Sequence, residues 1–78
     1  MTVIVPPCAV VTTPVDGRVE RLADPGTAVH AGDVVAVVHG SGGRRELVSA
    51  VRGLIGGALA TPTQAVTAGE AVLWLSRR

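Results

Sequence analysis

The apolar residues of this chain come in short runs broken by glycine, proline and charged residues. The clearest run is Val34–Val38, four valines around Ala36, and it stops at His39. A stretch almost free of side chains follows, Gly40-Ser41-Gly42-Gly43, before Arg44 and Arg45 open a further strand-like segment. Runs of this length, rich in β-branched residues and bounded by turn formers, predict strands joined by tight turns. Helix is not expected anywhere: the segment RELVSAVRGL, 45–54, can be read as one helical turn or more, but Gly53, Gly56 and Gly57 limit its extension.

The pattern repeats. Setting VDGRVERLADPGTAVHAGDVVAVV (15–38) above VRGLIGGALATPTQAVTAGEAVLWL (51–75) places Gly17 on Gly53 and Val19 on Ile55, 36 residues apart. Val29 then falls on Val66, Ala31 on Ala68, Gly32 on Gly69, Asp33 on Glu70 and Val35 on Val72, all 37 apart. One residue inserted in the intervening loop reconciles the two offsets. Each half reads as strand, connection, short strand, turn and strand. Glycines 17, 32, 53 and 69 suit turn positions that need positive φ or close backbone approach. Asp33 and Glu70, each following a glycine, are placed to accept hydrogen bonds from turn amides.

Half-units this short enclose no core alone, so two of them facing each other must bury one aliphatic core. The expected fold is all-β, a flattened antiparallel barrel or sandwich with a pseudo-twofold axis. Its halves span about 12–39 and 44–76, with a hairpin tip at 39–43, in one domain over 12–76. Residues 1–11 form an N-terminal extension or a first strand.

Composition narrows the function. Seventy-eight residues bury only about 60% of the unfolded surface and leave no room for a separate substrate domain. Trp74 is the only aromatic and is expected to be the largest core side chain. A net charge of +1, without a basic stripe or stacking aromatics, argues against nucleic acid. No apolar run reaches the roughly 18 to 20 residues of a membrane helix. A single cysteine, Cys8, and a start without a basic leader point to a cytoplasmic setting. All seven basic residues are arginines, so the chain has no lysine for a Schiff base or an acylated side chain.

The ordered set Gly17, Val19, Gly26, Val29, Gly32, Asp33, Val35, Glu46, Gly53, Ile55, Val66, Gly69, Glu70 and Leu73 resembles the biotinyl/lipoyl attachment domain family over about residues 12–76. A chain this short looks like the free-standing biotin carboxyl carriers of that family. The resemblance implies a barrel-sandwich hybrid whose central hairpin carries an acceptor lysine at its tip. Gly42 lies ten residues after Gly32 and eleven before Gly53, which is the family's acceptor position. His39–Gly43, HGSGG, replaces the acceptor pentapeptide, and a glycine cannot form the amide to biotin or lipoate. The resemblance therefore implies a degenerate member with no covalent cofactor.

Around that tip, His39 and Ser41 are the candidates for chemistry, as acid/base and acceptor. His39, Ser41, Arg44 and Arg45 are the candidates for contact with a partner or ligand, the two arginines on opposite faces of a strand. His30 and His39 stand too far apart, without acidic company, to read as a metal pair, and no metal site is expected. Cys8 follows Pro6-Pro7 with nothing beside it to activate a thiol.

Two functions remain. The first is a non-carrier domain that acts as an interaction, scaffold or regulatory subunit, its partners carboxylase or biosynthetic enzyme subunits. The second is a small enzyme or ligand-binding protein of a secondary-metabolite pathway that uses the former tip. A homodimer through exposed strand edges is a third, purely structural use.

Overall fold

A computed structural model describes residues 8–77. Eight strands and no helix make up this part of the chain: β1 (Cys8–Thr12), β2 (Gly17–Leu22), β3 (Ala28–Val29), β4 (Val34–Gly40), β5 (Gly43–Val48), β6 (Gly53–Ala58), β7 (Ala65–Val66) and β8 (Ala71–Arg77). They form two antiparallel four-stranded sheets, ordered β1-β8-β6-β3 and β5-β4-β2-β7. Exchanging β1 with β5, β8 with β4, β6 with β2 and β3 with β7 turns one sheet into the other. This is the pseudo-twofold barrel-sandwich the repeat predicts. The expected extension or first strand over 1–11 lies outside the described residues as far as residue 7. From Cys8 onward it is β1, the counterpart of β5, so the repeat reaches back beyond residue 12.

The core shows the same symmetry residue by residue. Its buried members fall into pairs at the two offsets: Val11 with Leu47, Val19 with Ile55, Val29 with Val66, Val35 with Val72, Ala36 with Leu73, and Val38 with Leu75. Ala60 completes the set with Ala23, which packs half-buried at the same cluster. Each half supplies one side of every pair, so neither has a core without the other. The inserted residue sits beside Ala60. Ala23 donates to the Val35 carbonyl, whereas both Leu59 and Ala60 donate to that of Val72.

Two buried hydroxyls hold equivalent corners. Thr13 bonds both the carbonyl and the amide of Val15, and Ser49 does the same for Val51. Each thereby satisfies backbone groups that a tight corner removes from the ladder. Gly17 and Gly53 are not in turns but open β2 and β6. A Cβ on Gly17 would lie 2.6 Å from the His39 carbonyl oxygen, and one on Gly53 would collide with that of Ser76.

Trp74 departs from the expectation. It is 37% exposed, on the outer face of its sheet. The reason is strand alternation: Leu73 and Leu75 are both buried, so the residue between them faces outward. The indole lies over Gly56, where a Cβ would sit 2.3 to 2.4 Å from ring carbons.

Candidate functional site

The hairpin between the halves is continuous to its end. β4 and β5 pair down to Gly40 opposite Gly43, leaving Ser41 and Gly42 as a two-residue turn. Neither turn residue has a left-handed φ; Gly43, which follows them and pairs with Gly40, does, at 105°. Gly42 stands exposed at the apex, with no atom within 4 Å of where its Cβ would be. Neither backbone conformation nor crowding requires glycine there.

Beneath the apex lies a cleft of about 380 Å³, walled by Pro14, Val15 and Asp16, by Gly40–Arg45 and by Ala68. Asp16 ties this wall together, its Oδ1 accepting the Ala68 amide at 2.7 Å. Strand alternation sends Arg44 to the outer face, in register with His39, and Arg45 to the other face, opposite Val38.

A second depression, of about 450 Å³, occupies the outer face of β2, β4 and β5 and is lined by Arg18, Val19, Glu20, His39, Arg44 and Thr63. Arg44 Nε donates to Glu20 Oε2 at 3.0 Å. Arg18 Nη1 donates to the Thr63 carbonyl at 2.9 Å. His39 lies directly between the two arginines, paired with Arg18 on one side and Arg44 on the other.

The expected site residues thus divide. Ser41, Gly42 and Arg45 belong to the tip cleft, His39 to the outer depression, and Arg44 borders both. His39 and Ser41 share no depression. Arg18, Glu20, Asp16 and Thr63 are the residues that sequence reading missed. Arg18 and Glu20 were legible as polar neighbours of buried Val19, but their closeness to Arg44 depends on sheet order.

Elsewhere, Asp33 Oδ2 accepts the His30 amide at 2.8 Å, as expected of a turn carboxylate. Glu70 makes no such bond; in its turn Asp16, from a distant loop, accepts the amide of Ala68, one residue past the counterpart of His30. Among the described residues no three His, Cys, Asp or Glu side chains gather in a metal-binding group. No helix there is long and apolar enough to cross a membrane.

No family model and no curated protein matches the chain. Solved structures do. A single-chain, multi-domain long-chain acyl-CoA carboxylase matches at a TM-score of 0.86 and 22% identity, over 100% of this chain and 8% of its own. The urea carboxylase of Kluyveromyces lactis matches at 0.82 and 20%, over 95% of this chain and 7% of its own. The fold is one that two carboxylases contain. It also occurs in a succinylglutamate desuccinylase/aspartoacylase from Rhodobacter sphaeroides, at 0.72 and 26%, over 88% of this chain and 22% of that one. The chain therefore spans less than a tenth of the carboxylases and under a quarter of the third protein. A fold shared by proteins of such different names does not by itself assign a reaction.

Proposed function

We propose that the chain is a biotinyl/lipoyl-like domain that carries neither biotin nor lipoate and serves as an interaction, scaffold or regulatory unit of a carboxylase-like or biosynthetic enzyme complex. The observation that carries this reading is Gly42 at the exposed apex of the inter-half hairpin, in a chain without lysine. The apex has room for a side chain, so its absence is not imposed by the fold. Exposed Trp74, with Val10 opposite it across β1 and β8, gives the domain an aromatic surface of the kind that protein contacts favour. The fold shared with two carboxylases supports an enzyme subunit as the partner.

Coexpression with a biotin protein ligase, and separately with a lipoate ligase, followed by intact-mass measurement, tests the non-carrier half. The mass is expected to remain that of the bare chain; a gain matching biotin or lipoate overturns the reading. Reconstitution with purified carboxylase or synthase subunits tests the other half. A stoichiometric complex that Trp74→Ala disrupts supports docking, and no complex with any subunit of the chain's own host overturns it.

A further inference from the structure

The depression on the outer face of β2, β4 and β5 is built from residues the scaffold does not need. The pseudo-twofold provides an internal control, because the same sheet geometry recurs at β6, β8 and β1. There Arg18 is replaced by Leu54, Glu20 by Gly56, His39 by Ser76, Arg44 by Cys8 and Thr63 by Gly26. The register is the same in both: Arg18, His39 and Arg44 pair in one row, as do Leu54, Ser76 and Cys8 in the other. Only Val19, whose mate Ile55 is also core, keeps its character. One sheet thus closes without any of these polar groups, while the other gathers them around one hollow of about 450 Å³.

The gathering is electrostatically unbalanced. Neighbouring strands lie about 4.8 Å apart, so Arg18 and Arg44, each one strand from His39, stand about 10 Å apart with like charge. The row places two guanidinium groups on either side of an imidazole, against one carboxylate, Glu20. Arg44 spends Nε on Glu20 and Arg18 spends one Nη1 proton on the Thr63 carbonyl, which leaves the other guanidinium N–H groups available. Among the described residues the His39 ring makes no hydrogen bond. Thr63, whose carbonyl orients Arg18, is the one non-glycine residue there with positive φ, at 70°. Backbone strain of this sort gathers at ligand clamps.

We infer that this hollow binds a small organic carboxylate with an apolar body. The carboxylate lies over His39 and between Arg18 and Arg44, accepting from their free N–H groups in the paired geometry that guanidinium offers. The apolar body lies against the arginine stems and the Thr63 methyl group. The residual charge of the cluster, two guanidinium groups less one carboxylate, matches a monoanion. The inference is independent of whether the domain docks to an enzyme, since it concerns a different face from the apex and from Trp74.

Backbone-amide NMR titration of the whole chain with hexanoate, acetate and inorganic phosphate tests it. Hexanoate is expected to give saturable shifts centred on Arg18, Glu20, His39, Arg44 and Thr63, at least about tenfold tighter than acetate. Arg18→Gln and Arg44→Gln should each weaken hexanoate about tenfold or more, the usual effect of losing a charged hydrogen-bond partner. Arg52→Gln, on an exposed arginine outside the hollow, should leave it unchanged. The spectra themselves report whether each variant is folded. Absence of saturation, phosphate matching hexanoate, shifts spread over other arginines, or equal effects of all three variants overturn the proposal.

Discussion

Replacing Thr63 by glycine should stabilise the protein. Thr63 adopts a φ of 70° at the position equivalent to Gly26, whose φ is 86°. Both positions do the same job. The Thr63 amide donates to the Val19 carbonyl at 2.7 Å, and the Gly26 amide donates to that of Ile55 at 2.7 Å. The left-handed region costs an L-residue roughly 1–2 kcal/mol, and a β-branched side chain is among the least suited to it. Glycine removes that cost but releases more unfolded-chain entropy, which returns about 0.5–1 kcal/mol. The Thr63 side chain is exposed and forms no hydrogen bond, so little else is lost. The net expectation is a gain of about 0.5–1 kcal/mol. In a domain of this size that corresponds to a rise in Tm of about 2–8 °C.

The reciprocal variant isolates the cause. No atom lies within 4 Å of a Cβ at Gly26, so Gly26→Thr introduces backbone strain without a steric clash. It should lower Tm by a similar amount. Urea melts of the wild type and both variants, with equal m-values, give the two free energies. A Thr63→Gly variant less stable than wild type, beside a neutral Gly26→Thr, would refute the strain argument.

Three further outcomes follow from packing. Gly56→Ala drives a methyl group into the Trp74 ring and should cost about 1–3 kcal/mol, with a red shift of the single tryptophan's emission as the indole lifts into water. Ser49→Ala removes the buried hydroxyl that serves both polar groups of Val51 and should cost about 1–3 kcal/mol by chemical denaturation, with Thr13→Val matching it at the equivalent corner. Arg44→Gln breaks an ion pair whose side chains are 60% and 45% exposed, so stability should change by less than about 1 kcal/mol.

The core was legible because burial leaves a periodic mark. Val19 and Ile55, Val35 and Val72, and the turn residues around Gly32 and Gly69 recur at fixed offsets, and both members of each of those apolar pairs are buried in the one core. Trp74 was misread by weighing size over alternation: VLWL in a strand sends the residue between two buried leucines outward, and the two glycines of β6 that seat the ring already stood in the sequence. Glu70 was misread because equivalent turns need not be capped by equivalent residues; Asp16 reaches one of them from 52 positions away. The outer hollow left no pattern at all. Arg18, Glu20, His39, Arg44 and Thr63 come from two strands of one half, the first strand of the other half and a distant loop. Only the sheet order β5-β4-β2 brings them together.

In a scaffold with this much internal symmetry, function is best sought where the two halves differ. Stability requires the pairs to match in apolar character, because both halves contribute to one shared core, and all seven do. The outer faces carry no such demand and have taken opposite characters. On one, Arg18, Glu20, Arg21, His39, Arg44 and Glu46 lie around Val37, which is only 3% exposed. On the other, the same six places hold Leu54, Gly56, Gly57, Ser76, Cys8 and Val10, and Trp74, the mate of Val37, is 37% exposed. The β4–β5 hairpin breaks the symmetry in a third way, for its counterpart falls where β1 begins and β8 ends rather than at a turn. Three asymmetric features on one symmetric core therefore separate cleanly: Gly42 can be changed without touching the hollow, and Arg18 without touching Trp74. That separation lets an acceptor lysine be introduced at Gly42 alone, and the proposed ligand binding and docking each be removed alone, and a variant at one feature that alters the readout of another would show that the faces are coupled through the shared core.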